Sequence, residues 1–451
     1  MPRSDRTRPV RWPLYIALYI ALAAGYVLTL VIFYPGIMTY DAKFVYEDIG
    51  KGVVGDWQSP VMVALWRVID PIAPGAGSMF LLIATGYWLG FGILAFALAR
   101  RSTAAALLLL LLALMPPAFV FVGIIWRDVL FAICWLLAAT TVFAVVETDA
   151  RFRIPAQGLA LALCAFGVLL RPNALIAAPI LCAYIIWPSR ISAKRTAILF
   201  VPAMVALFTL VQVVYYGMLG ATRQHPLQTI MVFDLGGISH FTKQNQFPVS
   251  WSEPETALLL NGCYQPTQWD IYWRLEPCDF VMRRIEREQG LFGTPAITEA
   301  WANAVLHHPL AYLQHRAAFM WNFLSGDNLT MWLADVEHPT ENVFPDRASF
   351  SALVSLHNAL KPTPLFRVGT WLLVCVAACA LTWRRRETPE GAFVLGVCGS
   401  AGLYVLTFAA VGVASDFRYG YLAVLAGIAG GVVAALTPMK PRDPVMRCRS
   451  L

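Results

Sequence analysis

Residues 12–60 decide the fold: WPLYIALYIALAAGYVLTLVIFYPGIMTYDAKFVYEDIGKGVVGDWQSP. Residues 12–33 contain no charged side chain, and a helix of that length, rising about 1.5 Å per residue, crosses the hydrocarbon core of a bilayer. Four acids, Asp41, Glu47, Asp48 and Asp56, follow directly. The contrast predicts a membrane span that leads into an acidic segment at the membrane surface.

The composition of the whole chain agrees with this beginning. Of 451 residues, 58% are hydrophobic and 14% are charged, with a mean hydropathy of +0.61, whereas an ordinary soluble domain has about 25% charged residues. The apolar residues occur in blocks of roughly 20, the length of a membrane span. The polar residues are too few to coat a soluble core of that size. The sequence therefore predicts an all-α polytopic membrane protein.

Ten apolar segments are predicted to be membrane spans. They are residues 12–33, 78–99, 104–124, 129–146, 156–170, 174–187, 198–218, 366–383, 392–412 and 419–437. Two remaining segments are predicted on the same outer side: the first outer loop (34–77) and the outer segment (219–365). The predicted parts are a transmembrane module (1–218) that includes the first outer loop, a periplasmic loop domain (219–365), and a second transmembrane module with a cytoplasmic tail (366–451).

Positive charges orient the predicted spans. Clusters of Arg and Lys precede residue 12, recur between alternate spans and end the chain, whereas the opposite side has few. The positive-inside rule therefore predicts both termini in the cytoplasm. The net charge of +7 is explained by orientation rather than by nucleic-acid binding.

The first span has no small-residue cleavage site before Tyr34, which favours a retained anchor over a signal peptide. The Arg- and Ala-rich composition favours a bacterial inner membrane.

Two details of the outer segment lead to structural predictions. Cys263 and Cys278 are predicted to be the two outer cysteines; in an oxidising compartment a disulfide would stabilise their loop by about 3 kcal/mol, and the alternative is two free thiols. Residues 296–324 have apolar side chains at helical spacing, and Pro309 is positioned to begin a second helix. The aromatic side chains there predict a helix at headgroup level: Trp301, Tyr312, Trp321 and Phe323.

Arg171 interrupts an apolar region in an unusual way. Residues 156–187 form two apolar runs of about 15 residues each, separated by Arg171, Pro172 and Asn173, and neither run spans a bilayer comfortably. A hairpin of two short helices would place Arg171 at membrane depth. A charge there costs several kcal/mol unless it faces protein, water or an anion, so Arg171 is a candidate functional residue.

Other charges are predicted at the outer ends of spans, in the same compartment as Arg171. They are Asp41, Lys43, Asp56, Arg127, Asp128, Asp416 and Arg418. Carboxylates and guanidiniums in one outward cleft suit a displacement reaction, because a carboxylate accepts a proton from an attacking hydroxyl and a cation stabilises a departing phosphate. Arginine suits the second role, since its planar fork binds two phosphate oxygens and stays charged.

Structural explanations exist for the same residues. Asp41 could be a solvated loop acid, and Asp56 could organise a turn. Asp128 and Asp416 could cap helices, and Arg418 could extend to lipid headgroups. The histidines His307, His308 and His315 are predicted to be structural, and no metal or other cofactor is predicted. No Walker A loop, dinucleotide-binding turn or HExxH motif occurs.

The outer-side motifs resemble the GT-C superfamily of membrane glycosyltransferases, which take a sugar from a polyprenyl-phosphate donor on the outer face. In that superfamily an acid just after the first span acts as the base, and the matching residue is Asp41. A bacterial subset is similar in more detail. The matching motifs are Tyr34-Pro35-Gly36, Asp41, Asp56-Trp57, Trp126-Arg127-Asp128, Arg171-Pro172-Asn173, His308-Pro309 with Tyr312-Leu313, and Arg418-Tyr419. Gln58-Ser59 departs from the His-Pro-like pair common there.

The resemblance implies roles for individual residues. They are catalysis for Asp41 and Asp56; donor-phosphate binding for Arg171, Arg418, Arg127 and Lys43; and support for Asp128, Asp416, Trp57 and Asn173. The implied reaction moves a sugar to a hydroxyl of an envelope glycan, lipid or protein. The alternatives are a multi-span transporter or lipid flippase, which intramembrane arginines and broken helices also fit, and an envelope scaffold without chemistry.

Overall fold

The computed structural model describes residues 12–52, 54–326 and 348–436. The basic residues before Trp12, the tail from residue 437 and Cys448 lie outside the described residues, so the orientation predicted from the terminal charges stays a prediction. The described residues form nineteen α-helices and three isolated β-bridges. The all-α fold predicted from composition is confirmed.

The helices are numbered in chain order. They are α1 (Trp12–Phe33), α2 (Tyr40–Lys51), α3 (Pro60–Ile69), α4 (Ala76–Ala99), α5 (Thr103–Ala113), α6 (Pro116–Phe119), α7 (Arg127–Val145), α8 (Ala150–Leu170), α9 (Ala178–Ile186), α10 (Ala193–Gln212), α11 (Leu227–Thr242), α12 (Glu253–Asn261), α13 (Phe280–Met282), α14 (Pro295–His307), α15 (Pro309–Ser325), α16 (Ala348–Leu360), α17 (Val368–Thr382), α18 (Pro389–Val411) and α19 (Tyr421–Leu436).

Eight helical segments in the described residues are long and apolar enough to cross a membrane. They contain α1, α4, α7, α8, α10, α17, α18 and α19. A ninth is obtained if α5 and the segment that begins with α6 are counted as one span, although they are bent by 61°. The multi-pass architecture is confirmed.

The predicted number of ten spans is not confirmed. Residues 104–124 are not one straight span, because the chain bends before Pro116, whose ring and missing N–H oppose continuation of α5. Residues 174–187 include only nine residues of α-helix in α9. The hairpin predicted around Arg171 is present, because Gln157 Nε2, near the start of α8, donates to the Ile185 carbonyl at the end of α9 at 2.7 Å. Its two helices are not both short, however: α8 has 21 residues and is long and apolar enough to cross a membrane.

The spans differ in how much of their surface is buried, which divides them into central and peripheral helices of the bundle. Most residues of α4, α7, α18 and α19 are buried in the protein, whereas most of α1, α8, α10 and α17 face outwards. A helix that is apolar all round belongs inside the bundle or against lipid. Glycines let the inner helices approach closely: Gly86 and Gly90 of α4 lie against Ile133 and Leu136 of α7.

The outer segment packs onto the outer ends of the spans. Its helices are α11–α16, and a disulfide joins Cys263 to Cys278. Gln268 forms an antiparallel bridge with Ala414, which follows α18, and Gly55 of the first outer loop forms a parallel bridge with Thr222. These bridges bring the first outer loop, the outer segment and the α18–α19 connection to the same end of the bundle.

The predicted headgroup helix requires a correction. Trp301 is turned inwards, where its Nε1 donates to Asp234 at 2.8 Å, and Phe323 is buried. The outward stripe consists of Leu306, Leu310, Leu313 and Trp321, which are exposed. The aromatic residues therefore do not share one face. The second helix predicted to begin at Pro309 is confirmed, and the aromatic residues are divided between the two helices, α14 and α15.

Candidate active site

An ion pair joins the first outer loop to the connection between α18 and α19. Asp41 lies in the first turn of α2, and Arg418 lies in the 3-10 turn Phe417–Gly420 that precedes α19. Arg418 Nη1 donates to Asp41 Oδ2 at 2.6 Å. The sequence predicted both residues on the outer side, and the structure brings them into direct contact.

Arg418 is held in a fixed orientation by its neighbours. Its Nε lies 3.2 Å from Asp416 Oδ2, and its backbone N–H donates to Asp416 Oδ1 at 3.0 Å. The guanidinium lies over the rings of Trp126, at 4.7 Å, and Tyr419, at 5.1 Å. Stacking between aromatic rings and paired acids leaves this arginine little rotational freedom.

A second ion pair lies beside the first one. Arg171, which follows the last residue of α8, places its Nη2 2.5 Å from Asp128 Oδ1 in the first turn of α7. Both side chains are almost fully buried. The Arg171 guanidinium lies 4.8 Å from the ring centre of Tyr419, the ring that Arg418 also contacts. The six residues Asp41, Arg127, Asp128, Arg171, Asp416 and Arg418 are called the charge cluster below.

Arg127 differs from the other two arginines of the cluster. Its Nη1 donates to the carbonyl of Trp57 at 3.2 Å, and it forms no ion pair with any described residue. With Asp41, Gln58 and Asp128 it lines a small pocket with a cavity volume of about 10 Å³, the space of about one water molecule. Because a guanidinium carries five N–H donors, Arg127 can bind an anion without first leaving a carboxylate.

The cluster opens towards solvent at Asp41. The Asp41 side chain is 35% exposed, whereas that of Arg418 is 15% and that of Asp128 is 5% exposed. Gln58 Nε2 donates to the other carboxylate oxygen of Asp41 at 3.3 Å. Asp41 is therefore the carboxylate of the cluster that a molecule approaching from outside reaches first.

The electrostatic environment separates two acids of the cluster. Burial alone would raise the pKa of Asp41, but the charges of Arg418 and Arg127 outweigh it and hold this pKa below its ordinary value. For Asp416 burial dominates and raises the pKa to about 6, although Arg418 opposes the shift. At neutral pH both are ionised, and near pH 6 Asp416 begins to take up a proton.

The raised pKa of Asp416 makes a prediction for stability. Between about pH 4 and 6 the folded protein keeps a proton on Asp416 that the unfolded chain has released, so this residue's contribution to the free energy of unfolding decreases as pH rises. The shift corresponds to about 3 kcal/mol. In unfolding titrations of wild type and Asp416→Asn at several pH values, the wild type should lose stability relative to the variant from pH 4 to 6. A constant difference would contradict the prediction.

Asp56 is hydrogen-bonded to uncharged groups, whereas Asp41 is paired with an arginine. Its Oδ2 accepts from the Tyr216 hydroxyl at 2.8 Å, and its Oδ1 accepts from the Gln224 backbone N–H at 2.6 Å. These bonds fasten the first outer loop to the chain that follows α10. The catalytic role expected for Asp56 stays a prediction, and its contacts favour a positioning role.

The remaining predicted residues lie around the cluster. Trp57 is attached to it through the Arg127 bond to its carbonyl. Asn173 is half-buried two residues beyond Arg171, near Tyr404. Lys43 is half-buried on α2, and its phosphate role stays a prediction.

Sequence reasoning assigned no role to three residues that contact the cluster directly. Gln58 binds Asp41, and Trp126 and Tyr419 stack on Arg418. Gln58 stands where the resemblance leads one to expect a His-Pro-like pair, and Trp126 and Tyr419 belong to motifs already quoted. Trp126 and Tyr419 could have been noticed because they are the sequence neighbours of Arg127 and Arg418. Their stacking on Arg418 is a tertiary contact that the sequence does not show.

The outer histidine takes part in a separate buried group. His315 Nε2 lies 3.4 Å from Asp234 Oδ1, and Tyr264 contacts the other ring nitrogen at 3.1 Å. Among the residues described, no group of three or more His, Cys, Asp or Glu side chains has an arrangement that could hold a metal ion. His315 is thus bound within the protein, and its structural role stays a prediction.

Comparison with known proteins adds one structural likeness. No protein-family model matches the sequence, and no curated protein matches it. A solved structure, ArnT from Cupriavidus metallidurans bound to undecaprenyl phosphate, is similar at 13% sequence identity and a TM-score of 0.34; the match covers 92% of this chain and 78% of that chain. The functional assignment therefore rests on the contacts of the charge cluster.

Proposed function

We propose that the protein is a membrane glycosyltransferase that moves a sugar from a polyprenyl-phosphate donor to a hydroxyl group of an acceptor on the outer face of the membrane. The observation that carries the proposal is the cavity shared by Asp41, a partly exposed carboxylate, and Arg127, a guanidinium without an ion pair among the described residues. A base and an anion-binding cation side by side are the groups that this reaction needs.

In the proposed reaction the acceptor oxygen attacks the anomeric carbon of the donor sugar. The bond from that carbon to the phosphate oxygen breaks, and its electron pair leaves with the polyprenyl phosphate. The acceptor's proton passes to Asp41. Arg127 binds the phosphate oxygens as negative charge develops on them. The lipid phosphate is already an activated leaving group, so the reaction consumes no nucleotide.

Because Asp41 is paired with Arg418, binding of the donor also changes the basicity of Asp41. A phosphate that binds Arg127 and Arg418 competes with Asp41 for the Arg418 guanidinium, 2.6 Å away. Asp41 then loses the charge that contributes most to its low pKa. It becomes a stronger base when the donor is present, because an opposite charge no longer stabilises its ionised form.

Replacing Arg127 is expected to weaken donor binding. A hydrogen bond to a charged group contributes about 1.5–3 kcal/mol, so Arg127→Ala should raise the dissociation constant for polyprenyl phosphate by about 10- to 100-fold. Arg127→Lys should show part of this loss, since lysine keeps the charge but not the fork. Binding to the purified protein in nanodiscs measures the effect. Arg67→Ala, an exposed arginine on the same side, is the control; equal affinity of Arg127→Ala and wild type would exclude the phosphate role.

The decisive functional experiment follows the donor itself. Purified protein in vesicles is incubated with a polyprenyl-phosphate sugar labelled in the sugar and with bacterial envelope as the acceptor source. The proposal expects one polyprenyl phosphate released for each sugar transferred. Chemically unchanged donor that has moved to the opposite leaflet would identify a flippase instead, and unchanged donor in its original leaflet would contradict both.

A further inference from the structure

Three tryptophans form a row beside the charge cluster. The ring centres of Trp57 and Trp269 are 5.9 Å apart, and those of Trp269 and Trp273 are 6.0 Å apart, with the latter pair nearly parallel at 17°. Trp57 belongs to the first outer loop, and the other two belong to the outer segment. Trp269 is buried in the middle of the row, while Trp57 is half-buried and Trp273 is 38% exposed. This set is called the tryptophan row.

The row is attached to the cluster at both sides. Trp57 precedes Gln58, the residue whose amide binds Asp41, and its own carbonyl binds Arg127. The backbone N–H of Trp269 donates to the Val413 carbonyl at 2.8 Å, on the chain that leads into Asp416. Trp57 and Trp269 are therefore linked to the charge cluster through their backbone groups.

Polar bonds fix the rings in place. The backbone N–H of Trp57 donates to Gln224 Oε1 at 2.9 Å, and the indole Nε1 of Trp273 donates to Asp270 Oδ1 at 2.9 Å. The disulfide between Cys263 and Cys278 closes the loop that carries Trp269 and Trp273. Rings that are fixed before a ligand arrives lose little conformational freedom on binding.

The surroundings of Trp273 distinguish this row from a membrane-anchoring belt. Arg274 lies 5.9 Å from the Trp273 ring centre, and its Nη2 lies 3.6 Å from Asp270 Oδ2. Charged side chains at the rim of an aromatic face do not suit contact with hydrocarbon, where charge is costly. They suit a ligand with an apolar face and polar edges. A sugar ring has this character, since its C–H groups pack on an aromatic face while its hydroxyl groups bind charged side chains at the rim.

We propose that the tryptophan row binds the acceptor and that the acceptor is a carbohydrate. One sugar ring packs on the exposed face of the row, Asp270 and Arg274 bind its hydroxyl groups, and the reacting hydroxyl is directed to Asp41. This inference rests on the proposed glycosyl transfer and selects one of the three acceptor classes that the sequence left open.

The first test separates acceptor binding from donor chemistry. Initial rates are measured with labelled donor and increasing amounts of envelope glycan. Trp273→Ala is expected to raise the acceptor KM by about 10-fold, with donor affinity unchanged and much of the rate recovered at saturating acceptor. Trp273→Phe, which keeps a flat face, should lose less. Trp321→Ala, an exposed tryptophan of the outward stripe on α15, is the matched control and should leave the KM unchanged.

The second test identifies the product. The transferred label is expected in material that resists protease, and linkage analysis of that material is expected to show the labelled sugar joined by a glycosidic bond to a second sugar. Label on protein side chains, label on a lipid without sugar, or an unchanged acceptor KM in Trp273→Ala would each overturn the inference while leaving glycosyl transfer intact. Failure of wild-type protein to consume any donor would instead overturn the proposed function itself.

Discussion

Replacing Asp41 with asparagine is expected to lower the rate of sugar transfer by about 100- to 10,000-fold, the usual contribution of a general base. Asparagine keeps the size of the side chain and can still accept a bond from Arg418, so the cluster stays assembled. The amide cannot take the proton of the acceptor hydroxyl, however. The rate is measured with saturating donor and acceptor, after the amount of inserted protein has been matched to wild type.

A control variant and a binding measurement show whether the loss of activity is specific to the Asp41 carboxylate. Glu47→Gln alters an exposed acid on the same helix, paired with Lys51 at 2.8 Å, and should leave the rate close to that of wild type. Donor binding by Asp41→Asn should persist, since loss of the carboxylate leaves Arg418 available for phosphate. Full transfer activity in Asp41→Asn would remove the central catalytic assignment.

Replacing Asp234 with asparagine is expected to lower the free energy of unfolding by about 3–5 kcal/mol, because it leaves a buried arginine without its counter-charge. Asp234 is fully buried in α11 and lies 2.7 Å from Arg316 Nε. Trp301 Nε1 donates to its other oxygen at 2.8 Å. Burial lowers the pKa of His315 although Asp234 opposes the shift, so at neutral pH the charge on Asp234 is matched by Arg316.

The same network fastens the outer segment to the membrane part. Arg316 Nη1 donates to the carbonyl of Gly412, at the outer end of α18, at 2.6 Å. Asp234→Asn should therefore loosen both the outer segment and its attachment. Unfolding of the purified protein by denaturant measures the loss, and Asp279→Asn, which removes a partly exposed i,i+4 pair with Arg283, should cost less than about 1 kcal/mol. Equal losses in the two variants would refute the proposed importance of the buried network.

A double variant tests whether the missing counter-charge causes the loss. Asp234→Asn combined with Arg316→Met removes the unpaired charge together with its partner, and methionine fills much of the vacated space. The double variant should be more stable than Asp234→Asn alone, since the coupling between two buried charges in contact is large. Losses that simply add would indicate that packing, rather than charge, sets the stability of this region.

The general architecture followed from the sequence because it depends on local composition. Apolar blocks of roughly 20 residues predict spans wherever they occur, and charges at their outer ends predict a common compartment. Arg171 was identified as unusual because two short apolar runs flank it, and the structure places it in a buried ion pair. The number of spans was harder to predict from the sequence, since the bend before Pro116 and the short α9 depend on how neighbouring helices pack.

The pairing of residues within the site could not be predicted. Asp41 and Arg418 are separated by 377 positions, and their contact depends on the arrangement of all intervening spans. The resemblance implied phosphate binding by four residues, Arg171, Arg418, Arg127 and Lys43, without ranking them. In the structure Arg171 and Arg418 each have a carboxylate partner, whereas Arg127 has none among the described residues. Ion pairing of this kind is a tertiary property, and no local pattern reports it.

The most direct measurement is an experimental structure of the protein with polyprenyl phosphate bound in a lipid nanodisc. The account predicts phosphate oxygens within about 3 Å of the Arg127 guanidinium, the prenyl chain along the spans, and the Asp41 carboxylate displaced from Arg418 and facing the phosphate. Phosphate bound elsewhere, with the Asp41–Arg418 ion pair unchanged and the Arg127 guanidinium without an anion, would contradict it.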